Sequence, residues 1–120
     1  MINLLAKVSP ALAGRAAFKL FCTPRKQMLR DEDKAFLETA ERQMLVLENI
    51  PIALYSWPAA GAQNAPTVLF LHGWESHSGR WRKFIPPLRE AGFHGLAFDA
   101  PAHGTSGGKE INLPWCSRVL

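Results

Sequence analysis

The chain predicts an α/β fold built on a parallel sheet, and three observations carry that expectation. Residues 67–71 (TVLFL) and 95–98 (GLAF) are short, continuous apolar runs, as found in strands buried on both faces of a parallel sheet. Between them, residues 80–91 place Trp81, Phe84, Ile85 and Leu88 at the spacing of one helical face. A strand, a helix of about three turns and a second strand form a right-handed crossover, which sets the two strands parallel. Finally, 120 residues at 48% hydrophobic and 20% charged allow one small core, and no apolar run is long enough to span a bilayer.

Taken in order, the first element is a short helix. Ser9 is placed as its N-cap and Pro10 at its first position, and residues 11–21 carry Leu12, Ala16 and Leu20 on one face. Arg15 and Lys19 line another side. The first thirty residues hold six basic side chains and no acid, so the net charge of +4 belongs to this end and the remainder is net negative. Two readings follow for the helix at 10–21: packing on the body of the protein, or contact with a membrane surface. The thin polar face favours packing. No nucleic-acid module or interleaved aromatics accompany the basic residues, so no nucleic-acid partner is expected.

A break at Thr23 and Pro24 leads to a second helix over 31–42, acidic in its first turn as the helix dipole prefers, with Ala35, Phe36 and Ala40 at helical spacing. Residues 44–57 read as a β-hairpin broken at Glu48 and Asn49 and ended by Pro58. Residues 59–66 are a loop. In the crossover helix Pro86 and Pro87 impose a kink and Gly92 is placed to end it. This divides the chain into a helical extension at 1–42 and an α/β unit at 43–120.

Cys22 and Cys116 lie far apart with no metal-ligand or C-x-x-C spacing, which fits a reducing compartment. Lys7, Pro10, Arg15 and Lys19 interrupt the apolar core that a secretory signal needs, so a cytoplasmic location is expected.

The stretch GTSGG at 104–108 satisfies the G-x-S-x-G pattern of a serine nucleophile turn. That pattern needs a strand entering and a helix leaving. Here Ala100 to His103 already lie past a strand, and residues 109–114 begin a helix poorly, so Ser106 is read as a loop serine. A phosphate loop fails too, because His103 and Glu110 stand where glycine and Ser/Thr are required. No cofactor is expected. His72 and His77 flank Glu75 in a turn-rich loop without a third ligand, so no metal site is expected.

Two linked blocks remain: VLFLHGW at 68–74, and FDAPAHGTSG at 98–107. In this order, separated by a helix, they resemble the first third of an α/β hydrolase, and the resemblance covers residues 44–114. It implies a partial α/β-hydrolase sheet of about four strands with a βαβ crossover, preceded by the two N-terminal helices. It implies that the backbone N–H of Trp74 is one oxyanion donor, that Gly73 lets the chain turn without a Cβ, and that His72 supports the loop. Apart from the resemblance, His103 is read as hydrogen-bonded within its own loop and Trp81, on the crossover helix, as core. In that family the nucleophile follows the fifth strand and the triad runs Ser, Asp or Glu, His, so the triad is expected beyond residue 120. The chain then reads as the N-terminal part of a hydrolase acting on a small-molecule ester, amide or similar bond, inactive by itself. A non-catalytic scaffold or interaction module is the alternative, as is a membrane-surface protein docked through the first helix.

Overall fold

The computed structural model describes residues 1–61 and 63–119. Two helices open the chain, α1 (Ile2–Val8) and α2 (Pro10–Phe21), separated by Ser9. Ser9 is extended and its side chain accepts a hydrogen bond from the Leu12 N–H at 3.4 Å, with Pro10 at the first helical position, as the sequence predicts. The sequence reading missed α1, which has no side-chain cap and buries none of its residues. Helix α3 (Asp31–Leu37) begins where predicted but ends five residues early, because the chain is already extended in strand β1 (Glu41–Leu47).

Strands β1 and β2 (Ile50–Trp57) form the predicted hairpin, in register Leu47↔Ile50 through Glu41↔Ser56. Glu48 and Asn49 both have positive φ (47° and 65°), the conformation a two-residue hairpin turn requires. Strand β3 (Thr67–Leu71) and strand β4 (His94–Phe98) pair in parallel across the crossover, and β4 pairs antiparallel with β2. The resulting order is β1-β2-β4-β3. The crossover helix is divided at the prolines into a 3-10 segment (Ser78–Lys83) and α4 (Ile85–Glu90), where Pro86 and Pro87 fall at helical positions that need no N–H donor. Gly92 (φ 89°) closes α4: its N–H donates to Arg89 O, and the Phe93 N–H donates to Leu88 O.

One face of the sheet carries the core. Ala53, Tyr55, Trp57 and Ala97 pack there against Leu37 of α3 and Ile85 of α4, with Phe36, Phe70 and Trp81 at the margin. The Trp57 indole stacks on Phe36 at 4.8 Å and donates to Thr39 Oγ1. The opposite face departs from expectation. Leu45, Leu54, Leu69, Leu96 and Phe98 line an open apolar groove, and β3 is bare on this face, where Leu69 and Leu71 stay nearly half exposed, while Val68 and Phe70 on its other face are only partly buried. Apolar sequence alone does not bury a strand; it needs a covering layer, and among the described residues none lies over this face.

The outline agrees. The radius of gyration is 17.7 Å and the accessible surface 8077 Å². A compact chain of this mass would show about 14 Å and roughly 6,450 Å². The excess comes from the bare sheet face and from α1 and α2, which bury only Ala13.

Candidate active site: the turns after β3 and β4

The two loops at the carboxyl ends of β3 and β4 lie side by side, as parallel pairing with Leu71↔Phe98 in register dictates. His72 opens the first and Asp99 the second. Open parallel sheets bind ligands at this end of their strands.

Two histidines tie the loops together. His72 Nε2 accepts from the Ala100 N–H at 3.0 Å, which leaves the proton on Nδ1, 2.8 Å from the Gly73 carbonyl it donates to. His103 Nε2 accepts from the Glu75 N–H at 3.0 Å, and its Nδ1 donates to Pro101 O at 2.9 Å. These partners place an N–H at Nδ1 and an acceptor at Nε2 in each ring, so both nitrogens are occupied. Burial pushes the His72 pKa below its ordinary value, partly offset by the Gly73 carbonyl and the Asp99 carboxylate. Neither ring is free to act as a general base. His103 bridges the two loops, a wider role than the bond within its own loop that the sequence suggested.

Asp99 organises the rest. Its carboxylate is fully buried and accepts from the Ser78 N–H at 2.8 Å, the Thr105 N–H at 2.9 Å and the Tyr55 hydroxyl at 3.4 Å. It thus joins β2, the start of the 3-10 segment and the loop after β4. Gly104 passes directly over it at φ 48°, where a Cβ would fall 2.1 Å from Asp99 Oδ2.

Ser106 is settled as a structural residue. It is 1% exposed, its Oγ accepts from the Ala53 N–H at 2.8 Å and donates to the Asp99 carbonyl. A hydroxyl so engaged is not a nucleophile at the apex of a turn. Helix α5 (Leu113–Val119) does follow this loop, against the expectation of a poor helix start. The Asn112 side chain accepts from the Trp115 N–H at 2.9 Å, and Pro114 sits in the first turn. An asparagine before L-P is a readable start signal, but α5 begins too far from Ser106 to make it a strand-turn-helix apex.

The oxyanion residues named from sequence are all in the first loop. The Trp74 N–H meets no acceptor among the described residues. The reason given for Gly73 needs correction. Its φ is not in the left-handed region and a Cβ there meets open space, so the backbone does not require glycine. The left-handed residue of this turn is Glu75 (φ 50°).

What sequence reasoning missed is the support from the N-terminal segment. The Arg25 N–H and Nε donate to Glu75 Oε1 at 3.0 and 3.2 Å, and these contacts hold the Glu75 carboxyl below the usual carboxylate range. Phe21 stacks on Trp74 at 5.6 Å with the rings 11° apart, and the Ile111 N–H donates to Cys22 O. These contacts join residues about 50 or more apart in sequence and leave no local pattern. Together they enclose a cleft of about 350 Å³ whose walls include Phe21, Trp74, Ala100, Ile111, Leu113 and Cys116. That volume is at the small end of the range of about 300–1,000 Å³ for small-molecule sites. Burial pushes the Cys116 thiol pKa upward, away from the reactive thiolate.

The fold and these loops have known counterparts. A model of the α/β hydrolase fold family matches residues 66–110. Epoxide hydrolase A of Mycobacterium tuberculosis (strain ATCC 25618 / H37Rv) is 43% identical over 47 residues, which cover 39% of this chain and 15% of that protein. The thioesterase domain from the curacin biosynthetic pathway superposes with a TM-score of 0.52 at 29% identity, over 57% of this chain and 24% of that one. Epoxide hydrolase VrEH1 from Vigna radiata gives 0.52 at 25% identity, over 62% and 23%. The chain therefore spans about a quarter or less of the length of these relatives. The segment 66–110 and the mixed sheet that contains it are thus similar to part of the α/β hydrolase fold.

Proposed function

We propose that residues 66–116 form the oxyanion side of a hydrolytic site, with the Trp74 N–H as one of two donors to the developing oxyanion. The observation that carries this reading is the Trp74 N–H left without an acceptor in a turn that two histidines and Asp99 hold fixed beside an apolar cleft. A donor fixed before reaction stabilises charge that forms only in the transition state, and losing one typically costs about 3–4 kcal/mol. The reaction is hydrolysis of an ester, amide or similar bond in a small, largely apolar substrate. The names of the relatives, epoxide hydrolase and thioesterase, extend the class to hydrolysis at other carbons bonded to oxygen or sulfur. His72 and His103 are braces, and the nucleophile, acid and base histidine lie outside these 120 residues.

The reading is tested in a chain that joins these residues to a complete triad. Trp74→Phe preserves the backbone donor and should keep most of kcat, because the side chain only walls the cleft. Gly73→Val should lower kcat/KM without loss of stability, since its methyl groups take open space next to the cleft. Equal activity in wild type and both variants overturns the placement. The 120 residues alone should show no turnover of an activated ester, with or without Ser106→Ala.

A further inference from the structure

The seven residues of α1 and the twelve of α2 bury one side chain between them, that of Ala13. At 100° per residue, Leu20, Ala13, Ala17, Phe21 and Phe18 of α2 fall within an arc of about 160°, and Arg15 and Lys19 fall in the sector opposite together with Leu12, so the face of Leu12, Ala16 and Leu20 expected from the sequence is not the apolar one. An amphipathic helix ordinarily turns such an arc to a core. Here Phe18, Leu20 and Phe21 are 60% exposed or more, and Leu4 and Val8 of α1 more still. Every charged side chain before Asp31 is a cation.

The chemistry of a partner follows from having both features on one element. An apolar protein groove would cover the arc but gives no reason for Lys7, Arg15 and Lys19 on the two helices with no acid among them. A nucleic acid would answer the cations but leave the phenylalanines and leucines in water. The surface of an anionic bilayer answers both at once: Phe and Leu enter the acyl boundary while Lys and Arg reach back to the headgroups. No helix among the described residues is long and apolar enough to cross a membrane, so the arrangement is one of lying in the interface. A further observation fixes the orientation. Phe21, at the end of the arc, stacks on Trp74 and walls the cleft, so the apolar surface of the arm continues into the candidate site.

We propose that α1 and α2 form an arm that docks on anionic membrane surfaces and sets the cleft at the bilayer face. This goes beyond the hydrolytic reading and stands without it. The test is flotation of the 120-residue chain through a density gradient with large vesicles, one set of phosphatidylcholine and one containing a quarter phosphatidylglycerol; aggregates sink, and bound protein floats. The chain should float with the anionic vesicles and stay below with the neutral ones. Each cation near such a surface is worth roughly a fivefold change in partitioning, so Arg15→Glu with Lys19→Glu should lower it by about 25-fold or more. Both side chains are exposed, so the variant keeps the fold, which circular dichroism checks. Phe18→Ser with Leu20→Ser should abolish flotation, and Leu69→Ser, on the bare sheet face, should not. No flotation with anionic vesicles, equal flotation with both sets, or dependence on Leu69 and not on Phe18 overturns the proposal. So does a dimer in sedimentation velocity that Phe18→Ser disperses while nothing floats, which would assign the arc to a second copy.

Discussion

Replacing Gly104 by alanine tests whether the loop after β4 is held by the buried Asp99 carboxylate. Two costs are separable. Gly104 has φ 48°, and an alanine held there costs about 1 kcal/mol. Its Cβ would also lie 2.1 Å from Oδ2, 2.3 Å from Cγ and 2.7 Å from Oδ1 of Asp99. These atoms belong to a buried side chain fixed by the Ser78 and Thr105 N–H groups, so the carboxylate must move and release them. Hydrogen bonds to a charged group contribute about 1.5–3 kcal/mol each, which puts the total at roughly 4 kcal/mol or more. Gly92 supplies the control: φ is 89° but nothing lies within 4 Å of its Cβ, so Gly92→Ala should cost only the backbone term of about 1 kcal/mol. Urea unfolding followed by tryptophan fluorescence measures both. With a slope of about 2 kcal/mol/M, the midpoint should fall by about 2 M for Gly104→Ala and about 0.5 M for Gly92→Ala. In the double variant Asp99→Ala, Gly104→Ala the second change should add only the backbone cost of about 1 kcal/mol, because its steric partner is gone. Equal midpoints for the two glycine variants, or full additivity with Asp99→Ala, would refute the account.

Other expectations follow from the same packing. Burial lowers the folded-state pKa of both His72 and His77, so their neutral forms stabilise the fold fully above the unfolded value of about 6.5, and this contribution is lost as pH falls from there through the folded values; a melting temperature that is flat or rises below pH 6.5 would contradict it. Ile85 is fully buried under β4, and Ile85→Ala should cost about 2–5 kcal/mol in urea unfolding, whereas Leu69→Thr on the bare face should cost less than about 1 kcal/mol. Ser106→Ala should lower stability by about 1–3 kcal/mol, since it removes the acceptor of the buried Ala53 N–H.

The sheet was readable because its signals are local. A β-hairpin shows in the run from Met44 to Trp57 with Glu48 and Asn49 between, and the crossover in the run from Thr67 to Phe98 with its prolines and Gly92. Helix α1 was missed because seven residues without a capping side chain carry little propensity signal. The two site loops were also readable, as blocks following apolar runs, but the physical role of Gly73 was not. Sequence cannot tell whether a glycine is needed for its φ or merely sits in open space, and here the left-handed positions of the two loops are Glu75, Ala102, Gly104 and Gly108. Arg25 and Phe21 were invisible for another reason: their partners Glu75 and Trp74 lie about 50 residues away, brought near only by the sheet.

The pairing distances also set an order of assembly. The β1–β2 turn joins neighbours as close as Leu47 and Ile50, and such hairpins close in about 1–10 μs. Pairing Thr67 with His94 across the crossover, and then Leu54 with Phe98, requires successively longer loops to close, which slows folding at each step. Asp99 receives the Tyr55 hydroxyl only when β4 has docked on β2. The carboxylate that steadies the turn after β4 is therefore among the last groups to lose water. A chain slowed at that docking step would hold a finished hairpin beside two loops not yet in register, and amide exchange during refolding should find the hairpin protected well before Ser78 and Thr105.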